Sequence, residues 1–219
     1  IGTTIPRTQF AGMVTRLDTY IGQVVDELRK LGILDNTLII FTSDNGPHTE
    51  GGADPDFFNT EKRLKGYKRS LYEGGVRVPF IVRWDGHVAP GTTSNHLAAA
   101  WDMMPTFTEL LGMQAAWTQP TDGVSMLPTI TGKGIQPQHD YLYWEFHEEG
   151  GRQAVRKGPW KLIRQNIKTS PTLELYNVDD DLNETRDLSA QNPEKVQELK
   201  SIMDKARTPS PLFNFGIKN

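Results

Sequence analysis

Two groups of polar residues in this sequence could carry chemistry, and the first is the pair Asp44 and Asn45. The pair follows the apolar run 38–41 after Thr42 and Ser43, and Gly46 comes next. A carboxylate beside an amide oxygen suits a hard cation such as Ca²⁺, which takes six to eight oxygen ligands. Two side chains cannot complete that shell, so further carboxylates would have to come from elsewhere. The alternative is a plain turn, because Asp-Asn-Gly is turn chemistry after any strand.

The second group is Lys68 and the glycine pair that follows it at 74–75. A lysine ammonium is a compact point charge that suits an oxygen of sulfate or phosphate. Adjacent glycines permit a positive φ or a close approach of backbone to a ligand. Glu73 and Arg77 flank the glycines, and we expect them to brace the loop rather than touch a substrate. A solvated loop lysine is the alternative, since lysine usually stays exposed.

Two histidines are candidates for a role beside these groups. His48 lies three residues past Asn45 and could donate a proton to an anionic leaving group or contact a sugar hydroxyl. His147 could reach across from a second domain and line a pocket. A lone loop histidine is more often simply solvated. No role is predicted for the three histidines without a partner at useful spacing, which are His87, His96 and His139.

Composition excludes several classes of function. The 219 residues contain no cysteine, which removes disulfides, thiolate metal sites and cysteine nucleophiles together. A net charge of −3 gives no long-range attraction for nucleic acid or for an anionic membrane surface. The apolar runs are far shorter than the roughly 20 residues that span a bilayer. We therefore expect a globular protein without nucleic-acid or membrane partners.

The elements that position the first group are two apolar runs, at 37–43 and 78–84. Both runs predict buried strands of the parallel type, with Asp44 and Asn45 at the carboxyl end of the first strand. Ligands of open α/β sheets bind beyond such strand ends. The long polar loop 46–71 lies between the two strands, and a loop of this length is more often functional than idle.

Other segments of the first half predict helices and turns. Apolar residues repeat with helical spacing over 9–31, and Gly32 is a plausible stop. Asp102 predicts the N-cap of a second helix that runs to Leu111. The stretch 113–137 is rich in proline and glycine and predicts an irregular crossing segment.

From residue 139 onward the pattern changes to short strands and one helix. The strands are expected at 141–146, 152–156, 160–163 and 173–177, as an antiparallel meander. An amphipathic helix follows at 193–206. We therefore expect two domains, 1–135 and 136–219. The first has too few strands for a complete parallel sheet, so it resembles the end of a larger α/β domain.

The two polar groups and their surroundings closely resemble the type I sulfatases of the alkaline phosphatase-like superfamily. The resemblance lies in 44–47, in Lys68 and in 72–79. It continues in the family's order through 102–106, 110–112, 122–125, 154–156, 160–162, 175–178 and 187–188. The implied fold is the C-terminal part of an alkaline phosphatase-like α/β domain, followed by a small α+β subdomain with an antiparallel sheet and a C-terminal helix.

The resemblance implies a calcium-dependent hydrolase of sulfate esters. Asp44 and Asn45 would be two ligands of the Ca²⁺ ion. Lys68 would bind the sulfate and neutralise charge as the S–O bond breaks. Independently of the resemblance, His48 is expected to act in catalysis and in substrate binding, and His147 to bind substrate. By the same resemblance we expect a periplasmic or secreted protein.

One departure from the family pattern limits what this chain is expected to do alone. The family's nucleophile is a formylglycine made from cysteine or serine in a Cys/Ser-x-Pro-x-Arg motif, and that motif is absent from the sequence. The family's first pair of aspartate ligands also lies upstream of this region. We therefore expect a C-terminal sulfatase portion that is inactive alone, whose partner is a missing N-terminal half. An uncovered sheet edge would favour self-association.

Two alternatives remain open. A phosphodiester or phosphonate hydrolase of the same superfamily typically has histidine after the metal-binding aspartate, which suits Zn²⁺ or Mn²⁺. Here the residue is Asn45, which favours calcium and sulfate. A non-catalytic carbohydrate-binding module would explain the missing nucleophile. Acids, His48 and two phenylalanines in the loop 47–58 favour a sulfated carbohydrate over a small aryl sulfate as the substrate.

Overall fold

The computed structural model describes residues 4–58, 64–116 and 118–215, and these fall into two compact units. The first unit comprises Ile1–Asp44, His48–Phe58 and Pro79–His139. The second comprises Asn45–Pro47, Asn59–Val78 and Asp140–Asn219. Residues 59–63 of the expected loop and residue 117 of the expected irregular stretch lie outside the described residues. The domain boundary expected at 135/136 stays a prediction.

The described helices and strands are these. The helices are α1 (Thr4–Lys30), α2 (Pro55–Phe58), α3 (Glu73–Val76), α4 (Met103–Leu110), α5 (Leu127–Thr131) and α6 (Pro193–Ala206). The strands are β1 (Ile39–Thr42), β2 (Phe80–Arg83), β3 (Leu142–Phe146), β4 (Arg152–Lys157), β5 (Trp160–Gln165) and β6 (Thr172–Asn177). Among the described residues, no helix is both long and apolar enough to cross a membrane. The short helix α5 interrupts the stretch that the sequence predicts as irregular.

Helix α1 confirms the helical spacing of the first unit and begins earlier than expected. Gly32 follows it with φ of +69°, the left-handed conformation that suits a residue just past a helix end. Several apolar side chains of α1 stay exposed, including Met13, Leu17 and Val24, the last at 58%. In the part of the chain that the structure describes, the apolar face of α1 therefore remains in contact with solvent.

Strands β1 and β2 pair with each other, and the pairing is antiparallel. The expectation of two buried parallel-type strands is wrong in both respects, since Ile81 of β2 is 61% exposed. An apolar run is buried only where other elements cover it, and the described residues of this unit do not cover both faces of the pair. Strand β1 nevertheless ends just before Asp44, as expected.

Asp102 occupies the N-cap position of α4, as predicted, but its side chain makes its bonds elsewhere. Its side chain makes no capping bond to α4 and is fully buried. The carboxylate accepts hydrogen bonds from the N–H groups of Ala99 at 2.8 Å and Val124 at 3.0 Å. Nε2 of His139 lies 2.9 Å from both carboxylate oxygens. His139 therefore has a partner that its spacing in the sequence does not reveal.

The second unit contains the antiparallel meander that the sequence predicts. Its sheet has the strand order β3-β4-β5-β6, and every neighbouring pair is antiparallel. Helix α6 covers one face, which confirms its predicted amphipathic character. Leu199 and Met203 of α6 are fully buried there against Val155, Leu162 and Leu175.

The opposite face of this sheet is covered by the segment that follows Lys68. Leu71 is buried in a cluster with three residues of the sheet, Ala154, Ile163 and Tyr176. Tyr72 and Val76 pack against the same cluster. The glycine-rich segment 71–78 is therefore part of the hydrophobic core on this face of the C-terminal sheet.

Candidate functional site

Backbone hydrogen bonds join the residues around Asn45 to the segment around Lys68 inside the second unit. The N–H of Gly46 donates to the carbonyl oxygen of Gly75 at 2.9 Å. The N–H of Lys68 donates to the carbonyl oxygen of Pro47 at 2.8 Å. The structure therefore brings together two predicted site residues that lie on separate segments of the sequence.

Three glycines permit this close approach. A Cβ atom at Gly46 would lie 1.8 Å from the carbonyl oxygen of Gly74. A Cβ atom at Gly74 would lie 2.2 Å from the carbonyl oxygen of Gly66, and one at Gly75 would lie 2.1 Å from that of Ser70. No side chain fits at any of these three positions. Of the two uses of the glycine pair considered from the sequence, close backbone approach is the one observed.

Asp44 and Asn45 present oxygen-bearing side chains just past β1. Asp44 is exposed. Nδ2 of Asn45 donates to the carbonyl oxygen of Gly46 at 2.8 Å, so the atom suited to a cation would be Oδ1. Within the described residues, no group of three or more histidine, aspartate or glutamate side chains could hold a metal ion. The pair fits a hard cation chemically and would supply two of its six to eight oxygens.

Lys68 is half-buried and precedes a residue in an unusual conformation. Arg69 has φ of +74°, which costs a non-glycine residue on the order of 1 kcal/mol. The carbonyl oxygen of Arg69 accepts a hydrogen bond from Nη1 of Arg152 in β4 at 2.6 Å. The C-terminal sheet thus fixes the backbone immediately after Lys68.

The two candidate histidines have local partners in different units. Nδ1 of His48 accepts a hydrogen bond from the N–H of Glu50 at 3.1 Å, in the first unit. In the second unit, Nε2 of His147 lies 2.8 Å from Oε1 of Glu145. The His147 ring stacks on Phe215, with ring centroids 4.3 Å apart. The roles of both histidines stay predictions.

A buried ionic cluster lies beside the glycine pair, and the sequence analysis missed it. Lys161 in β5 has no exposed surface. Its ammonium lies 2.9 Å from Oε1 of Glu73 and 3.0 Å from Oε1 of Glu184. Oε2 of Glu184 accepts a hydrogen bond from the N–H of Glu73 at 2.6 Å. Arg156 adds a second cation, 3.4 Å from Oε2 of Glu73. The expectation that Glu73 braces the loop is confirmed.

A signal for this cluster was present in β5. Leu162 and Ile163 are consecutive, point to opposite faces and are both fully buried. A strand with apolar residues on both faces is covered on both sides. A lysine in such a strand needs a carboxylate partner, because an unpaired buried ammonium is costly. Lys161 could therefore have been predicted to pair, although its partner could not.

Charge and burial act in opposite directions on the two glutamates. Burial raises the pKa of Glu73. The positive charges of Lys161, Arg156 and Arg77 lower it by more than burial raises it, so the pKa of Glu73 is below its ordinary value. Burial raises the pKa of Glu184, and Lys161 offsets only part of that rise. One ammonium thus lies between two carboxylates whose pKa values are shifted in opposite directions.

Family models match almost the whole chain. The model described as Sulfatase matches residues 5–113. The model described as N-sulphoglucosamine sulphohydrolase, C-terminal, matches residues 65–208. The chain belongs to the sulfatase family, as the motifs around Asn45 and Lys68 predict. Its α/β fold is of the alkaline phosphatase-like type shared by the sulfatases.

Individual relatives give the same result. Arylsulfatase A from Bos taurus is 35% identical over 161 residues, which covers 71% of this chain and 30% of the relative. An N-acetylgalactosamine-6-O-sulfatase from Bacteroides thetaiotaomicron is 30% identical, with coverage of 93% and 44%. A crystal structure of Ps i-CgsB in complex with k-i-k-neocarrahexaose matches with a TM-score of 0.77 and 32% identity, over 92% of this chain and 43% of that one. This chain spans less than half the length of each.

Proposed function

We propose that this chain is the C-terminal part of a calcium-dependent sulfatase that hydrolyses sulfate esters of carbohydrates. One observation carries the proposal. The segments bearing Asn45 and Lys68 pair through Gly46 and Pro47, so an oxygen donor and an ammonium lie on adjoining loops. A hard cation and a sulfate group need these two kinds of partner. The match to the family supports a sulfatase, and the fact that this chain spans less than half of its relatives supports a partial enzyme.

Asp44 and Asn45 would hold the Ca²⁺ ion through a carboxylate oxygen and Oδ1 of the amide. When bound, the ion would supply positive charge next to the sulfate oxygens. The remaining oxygen ligands and the nucleophile would come from polypeptide outside this sequence. The hydrogen bond from Nδ2 of Asn45 to Gly46 supports this assignment, because it fixes the orientation of the amide.

Lys68 would bind the sulfate group and stabilise the negative charge that develops on its oxygens. The contact of Gly46 with Gly74 and Gly75, which we call the glycine junction, supports this role, because the adjoining bond from Lys68 to Pro47 fixes the main chain at Lys68. His48 would donate a proton to the leaving oxygen or bind a hydroxyl group, and His147 would contact the substrate. The role of Lys68 follows from the family resemblance, and the roles of the two histidines follow from their residue type and position in the sequence.

A carbohydrate substrate is supported by the loop 47–58 in the first unit. A cleft of about 410 Å³ is lined by Pro6, Arg7, Thr49, Gly52, Ala53, Asp54, Pro55 and Asp56. Nε of Arg7 donates to Asp54 at 2.9 Å, and the Arg7 guanidinium stacks over the ring of Phe57 at 4.2 Å. Charged groups beside an exposed aromatic ring are typical of sugar-binding surfaces. The relative named for a sulfated amino sugar fits the same substrate class.

The test compares the intact enzyme with the 219-residue chain. In the intact enzyme, Lys68→Ala should lower kcat on sulfated saccharides by about 10²–10³-fold, the usual cost of one lost charge-stabilising donor. Lys133→Ala is the matched control, since Lys133 is exposed and lies in the first unit. Rates on sulfate and phosphate esters, measured side by side, separate the proposal from the phosphohydrolase alternative.

The isolated chain should show no turnover of an aryl sulfate, because it supplies no nucleophile of the expected kind. Hydrolysis by the pure chain above that of its Lys68→Ala variant would contradict the partial-enzyme proposal. An intact enzyme that keeps full activity after Lys68→Ala would contradict the assignment of Lys68.

A further inference from the structure

We propose that Lys161 is a positioning residue for the sulfate site. Its buried ammonium fixes Glu73, and Glu73 in turn fixes the glycine junction that joins the segments of Asn45 and Lys68. The functional part of this inference rests on the proposed function. The geometric part rests on contacts inside the second unit alone.

The first step is the placement of Glu73 by charge. Lys161 is fully buried, and a buried ammonium requires charged partners at close range. Both carboxylates within reach, Glu73 and Glu184, point at it from 2.9 and 3.0 Å. The contact with Glu73 is a charge-assisted hydrogen bond, which is short and directional, and the contact with Glu184 is an ion pair. The side chain of Glu73 is therefore fixed from inside the sheet.

The second step is the placement of the Glu73 main chain. Its N–H donates to Oε2 of Glu184 at 2.6 Å. Glu184 has φ of +51°, an uncommon conformation for a residue with a side chain. Such a conformation persists only when its surroundings determine it, as the bonds to Lys161 and Glu73 do here. The side chain and the backbone of Glu73 are thus fixed by the same cluster.

The third step leads from Glu73 to the site. Gly74 follows Glu73, and its N–H donates to the carbonyl oxygen of Lys65 at 2.8 Å. The carbonyl oxygen of Gly75 accepts the hydrogen bond from Gly46. A Cβ atom would not fit at any of these glycines, because the backbones are in direct contact with no space between them. A shift of Glu73 must therefore move the segment that carries Asn45.

Local exchange rates separate positioning from simple stability. Removing one partner of a buried ion pair leaves the other charge unpaired, so Lys161→Met is expected to lower the stability of the chain as a whole. The test measures amide hydrogen exchange in the full 219-residue chain and its Lys161→Met variant. The exchange of the amides of Gly46, Lys68 and Gly74 should accelerate at least about ten-fold more than that of the β4–β5 amides.

Lys157→Met is the matched control. Lys157 ends the neighbouring strand β4, is half-exposed and pairs with Glu198 at 2.8 Å on the surface. Its removal should leave the exchange of the three junction amides unchanged. Unchanged junction amides in Lys161→Met, or an equal rise throughout the sheet, would overturn the proposal. If Lys161→Met does not fold, Glu73→Gln is measured in the same way with the same two overturning results.

A kinetic readout in the intact enzyme links the cluster to catalysis. Lys161→Met should lower kcat by about ten-fold or more with little change in KM, because Lys68 would be misplaced where charge develops. Lys161→Arg should recover part of this loss by restoring a cation. An intact wild-type enzyme without sulfatase activity would refute the proposed function, whereas the exchange experiment would still decide whether Lys161 positions the junction.

Discussion

Gly46 illustrates how much one residue decides at this site. The residue lies next to Asn45, and its missing side chain lets its own backbone contact that of Gly74. Its own N–H completes the contact by bonding to Gly75. The proposed site therefore depends on the lack of a side chain at Gly46 as well as on the charged groups nearby.

The substitution Gly46→Ala should destabilise the chain by about 3 kcal/mol, because its Cβ would overlap a backbone oxygen that cannot rotate away. Urea unfolding of both proteins measures the difference in free energy. Gly22→Ala is the control. Gly22 lies in α1 with open space around its Cβ position, so alanine there should be neutral or stabilise by up to about 1 kcal/mol. A Gly46→Ala protein as stable as wild type would rule out the close approach.

At the scale of elements, the C-terminal sheet does two things. Its face against α6 is apolar and supplies ordinary hydrophobic stabilisation. Its face against 71–78 mixes apolar residues with Lys161 and Arg156, which bind Glu73 at the start of α3. The second face therefore fixes a loop in addition to burying surface.

The charge on Glu73 predicts a defined pH dependence of stability. Because its folded pKa is lowered, its contribution is complete above the ordinary value of 4.5 and is lost as pH falls through the lower folded pKa. Glu73→Gln should cost about 3 kcal/mol at neutral pH, and the difference from wild type should shrink at acidic pH. Unfolding free energies measured from pH 3 to 7 test this. Glu148→Gln, at an exposed position, should show neither effect. A constant difference across this range would exclude the charge as the cause.

Sequence patterns specified most of the elements and part of the site. Period-two and helical spacing gave the meander and α6, and the apolar run ending at Asp44 located the end of β1. An apolar run does not encode strand direction, so the antiparallel pairing of β1 with β2 was not predictable. The bond from Lys161 to Glu73 joins residues 88 positions apart, which no local pattern reveals.

At the scale of the whole molecule, the two units differ in how well they are covered. The second unit buries both faces of its sheet. In the first unit, the described residues leave apolar side chains of α1 and β2 exposed, including Val24 and Ile81. The relatives are more than twice as long as the matched region, which fits our proposal that further polypeptide covers these surfaces.

The isolated chain should therefore self-associate, because exposed apolar strands recruit other copies. Light scattering at increasing concentration measures the mass. Ile81→Lys places a charge on β2 and should shift the chain toward monomer. Ile135→Lys is the control, since Ile135 is 91% exposed but lies outside α1 and β2. A wild-type chain that stays monomeric at high concentration would contradict this prediction.

The segment 71–78 covers the sheet where a second helix would be the usual solution. A long helix satisfies its own backbone groups, whereas this segment contains only the single turn of α3, and its Gly74 N–H and Gly75 carbonyl group bond to Lys65 and Gly46. Side chains on this face of the sheet are thus constrained both by their own packing and by the position of the segment 71–78. A substitution at Ala154 or Ile163 should therefore disturb the packing of Leu71 and the backbone contacts of the segment 71–78 as well as the stability of the sheet.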